Sequence, residues 1–437
     1  MKKILMVGLM VLAMAGTAWS FSANWTDDGM GNFDVDWVTE SPGSVGDLLI
    51  FPMYLADGTG WETKINVINT DTELSTVAKV VVRGGENSQE LLDFFIYLSP
   101  NDEWTAKIYN DNGTVRIYST DDSVLSNVNV WANESPMNQA LATNSCDEET
   151  YGYVEVYDAW FIDRDGLLPY LGTGQTAVDL VGPIDKDIIL RAFEDAATDE
   201  FQSVNILTGF FELLLPTTGL SAMENAVVLQ DYDLNDEVIL GRETRLGESS
   251  SSSIGEVEGA LAKDDVYMPY YNDGKNITAQ VFTFVTKQAI IDPTELDPCN
   301  IYSDSPFYIE NSTVDWCVEY GIFVFDLEEN TPTSTSPIFS PVPDEDKREF
   351  CNEVNISVVG LDSTISWYDE GWALFSFEDL YTDNDVMMGN NSDEIQYSGA
   401  PVIPFSANLG ADGLSLKYGA YAPADVYRFG TLDNVLY

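Results

Sequence analysis

The chain has 437 residues and carries 19 Lys and Arg against 73 Asp and Glu, for a formal net charge of −54. That balance excludes nucleic acid as a partner, because its binders need basic footprints, and it disfavours anionic lipid headgroups for the same reason. Histidine is absent, which removes Ser-His-Asp and Cys-His nucleophiles and every His-ligated zinc site, HExxH included.

A hydrophobic fraction of 45% and an aromatic fraction of 12% are too high for a disordered acidic tail. The expectation is a folded acidic protein whose self-repulsion is screened by salt or neutralised by bound cations.

Residues 1–20 have the physical type of a secretory signal: Lys2 and Lys3, then the apolar run ILMVGLMVLAMAG, then the small residues Ala18 and Ser20 flanking Trp19. The run is shorter than the ~18–20 apolar residues a spanning helix needs, so export with cleavage is expected, and no later segment is apolar enough to span as a helix. No Cys follows the run, so a lipoprotein anchor is not expected. Residues 21–45 read as a loose arm or a first edge strand.

From Gly46 the chain reads as strands in quick succession: LLIFPMYLA, TKINVINT, TVAKVVVRG, LLDFFIYLS, EWTAKIYN and TVRIYS. Turn formers such as Asp57-Gly58, Gly84-Gly85, Pro100-Asn101 and Asn112-Gly113 separate most of them. Asn69-Thr70-Asp71 is a loop able to bond its own backbone. Ser88–Leu98 imitates a helix, but its aromatic and Ile content favours a strand. YGYVEVYDAWFI continues the pattern. Then Ile184, Ile188, Ile189, Ala192, Phe193, Ala196 and Ala197 recur at helical spacing, predicting one amphipathic helix near 184–198. SVNILTGFFELLLP returns to strand, and LSAMENAVVLQDY fits helix or strand. The Ser run inside 247–259 has linker composition and marks either a domain boundary or a long surface loop. Strands resume over 260–437 with ITAQVFTFVTK, CVEYGIFVFDL, CNEVNISVVGL, GWALFSFEDLY and SGAPVIPFSA, around the Pro-punctuated loop TPTSTSPIFSPVPDED. The fold class is therefore mainly β. Two to three antiparallel, Ig-like β-sandwich domains with one or two short helices are expected, one region at 46–246 (one domain or two) and one at 260–437.

GWETKINVINT, VAKVVVR and SQELLDFFIYLSP, with the later EYGIFVFDLEEN, CNEVNISVV and GAPVIPF, resemble a group of secreted bacterial surface proteins without an assigned activity. The resemblance implies a β-rich exported body and carries over no catalytic residues.

Among motifs, Leu215-Pro216-Thr217-Thr218-Gly219 spells LPxTG, but more than two hundred residues of soluble pattern follow where a sorting signal needs an apolar tail. Gly172-Thr173-Gly174-Gln175-Thr176-Ala177 imitates a dinucleotide fingerprint without the strand, helix and parallel sheet that one requires, and reads better as a turn. Asp231, Asp233, Asn235 and Glu237 place oxygen ligands at alternate positions, as calcium loops do. Asp236 and Arg242 depart from the EF-hand pattern, so a calcium ion here implies another loop geometry. Asp163-Arg164-Asp165-Gly166 and Asp383-Asn384-Asp385 are weaker candidates. Cys146, Cys299, Cys317 and Cys351, in an exported chain, suggest two disulfides, with Cys299–Cys317 favoured because it closes a Pro- and Asp-rich excursion.

Paired carboxylates are the one hydrolytic option of a His-free chain; Glu212, Asp315 and Glu353 are candidates that sequence cannot pair. Trp25, Trp37, Trp61, Trp160 and Trp372 can stack on sugars, although Trp more often packs cores. Asn112-Gly113-Thr114 and Asn276-Ile277-Thr278 are sequons in turn-like places. An outer-membrane barrel is the remaining alternative, with Tyr427, Phe429, Val435 and Tyr437 in alternating register and Asp433 breaking it.

The functional expectation is a secreted, non-enzymatic structural or adhesive cell-surface protein, assembled with itself or with envelope components in a calcium-assisted layer or filament. The rival is an exported carbohydrate-binding or carbohydrate-cleaving protein.

Overall fold

In the computed structural model the described residues are 38–86, 88–124, 137–143, 149–196, 202–232, 254–271, 278–287, 290–291, 301–302, 318–327, 348–350, 352–357, 359, 370–377, 399–408, 418–420 and 427–429. They are mainly β, in antiparallel sheets with a few short helices.

The first region contains β1 (Thr39–Glu40), β2 (Leu48–Leu55), β3 (Glu62–Asn69), β4 (Ser75–Gly84), β5 (Glu90–Leu98), β6 (Glu103–Asp111), β7 (Thr114–Ser119), β8 (Met137–Ala140) and β9 (Tyr151–Ile162). Helices α1 (Arg164–Leu167) and α2 (Lys186–Asp195) follow, then β10 (Leu207–Leu215), β11 (Leu220–Asn225) and β12 (Val227–Gln230). One six-stranded sheet runs β1-β12-β2-β9-β4-β5 and the other β11-β10-β3-β6-β7-β8. The chain passes repeatedly between them. β2 pairs with β9 in one sheet while β3 pairs with β10 in the other, so the β2–β3 and β9–β10 ribbons cross the sandwich side by side. The antiparallel sandwich expected for the region is present, with twelve strands where an Ig sandwich has roughly seven to nine.

Burial explains the residue patterns. β3, β6, β7 and β10 alternate buried and accessible positions, because one face meets the partner sheet and the other meets solvent. β2 and β4 are buried at every position, because their sheet is covered on both sides. On its inner side Phe51 meets Phe211 edge-on at 6.5 Å and Phe94 meets Trp104 at 5.6 Å. On its outer side Phe193 of α2 packs on Phe95, Tyr97 and Trp160.

Helix α2 lies within the segment where spacing predicts a helix. Asp185 caps it by accepting from the Asp187 N–H at 3.1 Å, and Ile188, Ile189, Ala192 and Phe193 are its buried face. LSAMENAVVLQDY resolves into two strands, β11 and β12, broken at Ala226, whose N–H is taken by the Gly209 carbonyl. The arm or edge strand expected at 21–45 contributes a short edge strand, β1, paired with β12.

Turn chemistry follows the sequence. Asn112 and Gly113 both take positive φ, 53° and 96°, as the tight β6–β7 hairpin requires. Asn69 and Asp71 bond the main chain around them: Asp71 Oδ1 accepts from the Glu73 and Leu74 N–H groups at 2.7 Å, and Asn69 Nδ2 donates to the Leu74 and Ser99 carbonyls.

The second region holds α3 (Ile254–Leu261), β13 (Ala262–Lys263), β14 (Asp265–Tyr271), β15 (Thr278–Thr283), β16 (Ile290–Ile291), β17 (Ile301–Tyr302), β18 (Val318–Asp326) and β19 (Arg348–Phe350). It continues with β20 (Val354–Ser357), β21 (Glu370–Ser376), β22 (Ala400–Pro401), β23 (Ile403–Asn408), β24 (Tyr418–Ala420) and β25 (Tyr427–Phe429). A four-stranded sheet β14-β21-β18-β19 packs on a five-stranded sheet β23-β15-β20-β25-β24. The segment 254–259, expected as the end of a Ser-rich linker, is instead the start of α3. Val257, Ala260 and Leu261 are buried there, an apolar face too short to stand out beside the Ser run.

β15 is buried at all six positions because its two faces serve two cores. Phe282 packs on Phe350 and Phe375, each at 4.6 Å, within the second sandwich. Ala279 and Val281 join Ile356, Ile403, Phe405 and Ala407 in the first region's core, where Phe405 meets Phe211 at 5.5 Å. Thr283 Oγ1 also donates to the Pro52 carbonyl at 2.6 Å. The residues on either side of the Ser run therefore share one hydrophobic core.

Candidate functional site

Three polar or aromatic arrangements stand out, and the first is a face. In β14 the alternation places Tyr267, Pro269 and Tyr271 outward, and Tyr267 is 64% exposed. Register sets Tyr267 opposite Leu374 and Pro269 opposite Trp372 on β21. On the other side of β21, Phe323 lies opposite Leu374 and Phe325 opposite Trp372. One outer sheet face thus carries Tyr267, Pro269, Tyr271, Trp372, Leu374, Phe323 and Phe325. Phe325 and Trp372 stack at 4.0 Å and 14°, and Tyr267 leans on Trp372 at 5.8 Å and 40°. Asp265 and Glu370 share this face at opposite ends, and no residue of β14, β18 or β21 is basic. Gly371 permits the close strand approach, since a Cβ there would meet the Phe325 carbonyl oxygen at 1.9 Å.

The second arrangement is a buried ion pair. Arg83 Nε donates to Glu155 Oε2 at 2.5 Å, with both side chains almost wholly buried. Tyr157 donates to the same oxygen at 2.9 Å, Arg83 Nη1 to the Ser88 carbonyl at 3.2 Å, and Tyr153 to Ser88 Oγ at 2.8 Å. Burial acts to lower the Arg83 guanidinium, but Glu155, followed by Tyr153, Tyr157 and Glu90, outweighs it and holds the guanidinium above its ordinary value. Burial first, and then Glu155, raises both tyrosines well above the usual phenol range. Every group has a partner, so the network secures β4 to β9 and offers no free acid or base.

The third arrangement is a pair of buried carboxyls, Asp47 and Asp158. They lie at the start of β2 and at the β9 bulge, where the register with β4 shifts beside Val77 and Ala78.

The expected site residues are scattered. Asp231 takes positive φ and accepts from Asn205 Nδ2 at 2.8 Å; Asp233, Asn235 and Glu237 lie outside the described residues, as do Asp383, Asn384 and Asp385. Asp163 is occupied as the cap of α1, accepting from the Gly166 N–H at 2.7 Å. Leu215–Gly219 is the β10–β11 turn, with Gly219 at φ 74° donating to the Leu215 carbonyl. Gly172–Ala177 is also a turn, closed by the Gln175 N–H on the Gly172 carbonyl. Glu212 stands 3.8 Å from Lys64 on an accessible sheet face, whereas Glu353 is buried and acts on Tyr153.

Trp61 and Trp160 are buried and unavailable to a ligand, while Trp372 is half-buried in the outer aromatic face. Trp25, Trp37, Asp315, Asn276 and all four cysteines, Cys146, Cys299, Cys317 and Cys351, lie outside the described residues. The aromatic face was visible in sequence only as Trp372. The alternation of DVYMPYY and EGWALFS was the signal that could have placed Tyr267 and Tyr271 beside it.

Among the described residues, no group of three or more His, Cys, Asp or Glu side chains is arranged to hold a metal ion, and no helix is long and apolar enough to cross a membrane. No protein-family model matches the chain, and comparisons with curated proteins and with solved structures find no match.

Proposed function

We propose that the chain is an exported, non-enzymatic adhesive protein of the bacterial cell surface that holds neutral polysaccharide on the outer face of β14-β21-β18. The observation that carries this proposal is the outward-facing aromatic set of exposed Tyr267 with half-buried Trp372 and Phe325. Such rings present electron-rich faces with positive edges, and the C–H groups of sugar rings pack against the faces while sugar oxygens meet the edges. Asp265 and Glu370, at the ends of the same face, supply acceptors for sugar hydroxyls.

The charge selects the ligand class. A chain of −54 repels anionic polymers and, at low salt, a second copy of itself, whereas an uncharged glycan meets no such barrier. The secretory character of residues 1–20 and the resemblance to secreted surface proteins support export.

The test is an array of neutral and acidic glycans probed with the mature chain, paired with a reducing-sugar assay on each glycan retained. The proposal expects binding to neutral polysaccharides and no sugar release. Binding confined to acidic glycans, or to none, overturns the ligand class; sugar release overturns the non-enzymatic part.

A further inference from the structure

Asp47 and Asp158 are 3% and 0% exposed, and among the described residues neither carboxyl has a basic partner. The main chain joins them, with the Asp158 N–H donating to the Asp47 carbonyl at 2.7 Å. Each carboxyl accepts a main-chain N–H from the facing segment, Tyr232 N–H to Asp47 Oδ1 at 3.2 Å and Val204 N–H to Asp158 Oδ2 at 2.9 Å; the N–H groups of Asp47 itself and of Trp160 also favour the charged forms, but burial outweighs them. The remaining oxygen of each faces a hydroxyl. Ser203 Oγ lies 3.2 Å from Asp47 Oδ2 and 3.0 Å from the Tyr232 carbonyl. Thr76 Oγ1 contacts Asp158 Oδ1 and, at 3.1 Å, the Trp160 carbonyl.

Counting protons decides the state. A hydroxyl has one proton, yet Ser203 and Thr76 each sit between two acceptors, a carboxyl oxygen and a main-chain carbonyl. With ionised aspartates one of the two contacts at each hydroxyl is oxygen against oxygen with no proton between. With protons on Asp47 Oδ2 and Asp158 Oδ1, each carboxyl donates to the hydroxyl, the hydroxyl donates to the carbonyl, and all four contacts become hydrogen bonds.

We propose that Asp47 and Asp158 form a proton-operated latch. With both carboxyls neutral they fasten residues 203–206 and Tyr232 to β2, β4 and β9, and the release of their two protons to solvent unfastens that corner. The charges around it reinforce this. Asp231 acts on Asp47 and Asp47 acts on Asp158, all of one sign, and the side chains that contact the two carboxyls, Thr76 and Ser203, are neutral. Two buried like charges without a counter-ion draw in water.

Amide hydrogen exchange of Val204 and Tyr232 in the full chain tests the latch, read at about pH 5 and about pH 8 and corrected for intrinsic chemistry. Protection in the native chain is expected to fall by about tenfold or more between the two. In D47N/D158N, whose amides donate where the acids do, it is expected to stay level. Equal protection of the native chain at both pH values, or the same fall in the double variant, overturns the proposal. Should that variant fail to fold, infrared spectra of the folded native chain decide. A protonated-carboxyl band at about pH 6 that disappears by about pH 8 supports the latch, and its absence at about pH 6 overturns it.

Discussion

Phe325 and Trp372 stand opposite one another on β18 and β21, and their rings stack at 4.0 Å. Each ring supports the other's orientation, and Tyr267 widens the pair into a surface on the solvent side of a sheet whose inner side is filled by Phe282, Phe350 and Phe375.

Gly371 sets the strand spacing under that stack. In G371A the new Cβ would sit 1.9 Å from the Phe325 carbonyl oxygen, so β18 and β21 must separate locally. The expected outcome is a loss of about 1–3 kcal/mol of stability, with weakened glycan retention, read by urea denaturation and by binding of the same preparation.

Arg83 and Glu155 give a test of the first sandwich. Removing one partner of a buried pair strands the other's charge, so E155A should cost about 3–5 kcal/mol. Replacing both by apolar residues of similar volume, as in R83M/E155L, should cost much less. Urea midpoints of the two variants measure the difference, and equal losses would contradict the assignment of a charge-paired Arg83 and Glu155.

Phe282 tests the second core. Its ring lies 4.6 Å from both Phe350 and Phe375, and F282A should cost about 3–5 kcal/mol. Because β15 also feeds the first core through Val281, the two regions are expected to melt together in calorimetry, and F282A is expected to lower that joint transition rather than split it.

The pH dependence follows from Asp47. Burial, with Asp231 adding to it, raises its carboxyl from 3.8 to about 7. The unfolded chain loses this proton near its ordinary value while the folded chain keeps it, so between about pH 4 and 7 the folded state binds more protons. Stability from this group is therefore present at the acid end and falls as pH rises, by up to about 1.4 kcal/mol per pH unit. General charge repulsion changes in the same direction, so the measurement is the difference in urea midpoints between the native chain and D47N across that range. A constant difference would contradict the shift.

Much of the β architecture was legible in the residues. The strand-length runs from Leu48 to Ser119, the Asn112-Gly113 hairpin and the helix around Ile188 and Phe193 all rest on local signals, namely periodicity and turn chemistry. What was not legible is what those strands pack against. β2 and β4 are buried throughout and β9 along most of its length because the second region and α2 cover their outer side, and no local pattern announces a cover supplied from so far along the chain. The Arg83–Glu155 pair joins residues seventy-two apart and the Asp47–Asp158 pair more than a hundred, so register had to bring each together. Trp372 was visible as a tryptophan among ten, but its partners Tyr267 and Phe325 come from strands separated in sequence. Conversely, the acidic pair Asp163 and Asp165 stood as a weaker calcium candidate, and Asp163 serves as a helix cap, a use that short polar side chains at helix starts commonly have.

Affinity electrophoresis of the mature native chain and of W372A through gels cast with a neutral glucan tests the polysaccharide-holding face. W372A removes a half-buried surface ring, so it should keep the native far-ultraviolet spectrum and lose no more than about 1–2 kcal/mol of stability. The glucan is expected to retard the native chain, and W372A to bind at least about tenfold more weakly, a loss of about 1.4 kcal/mol. Equal retardation of the two proteins, or none of the native chain, would contradict it.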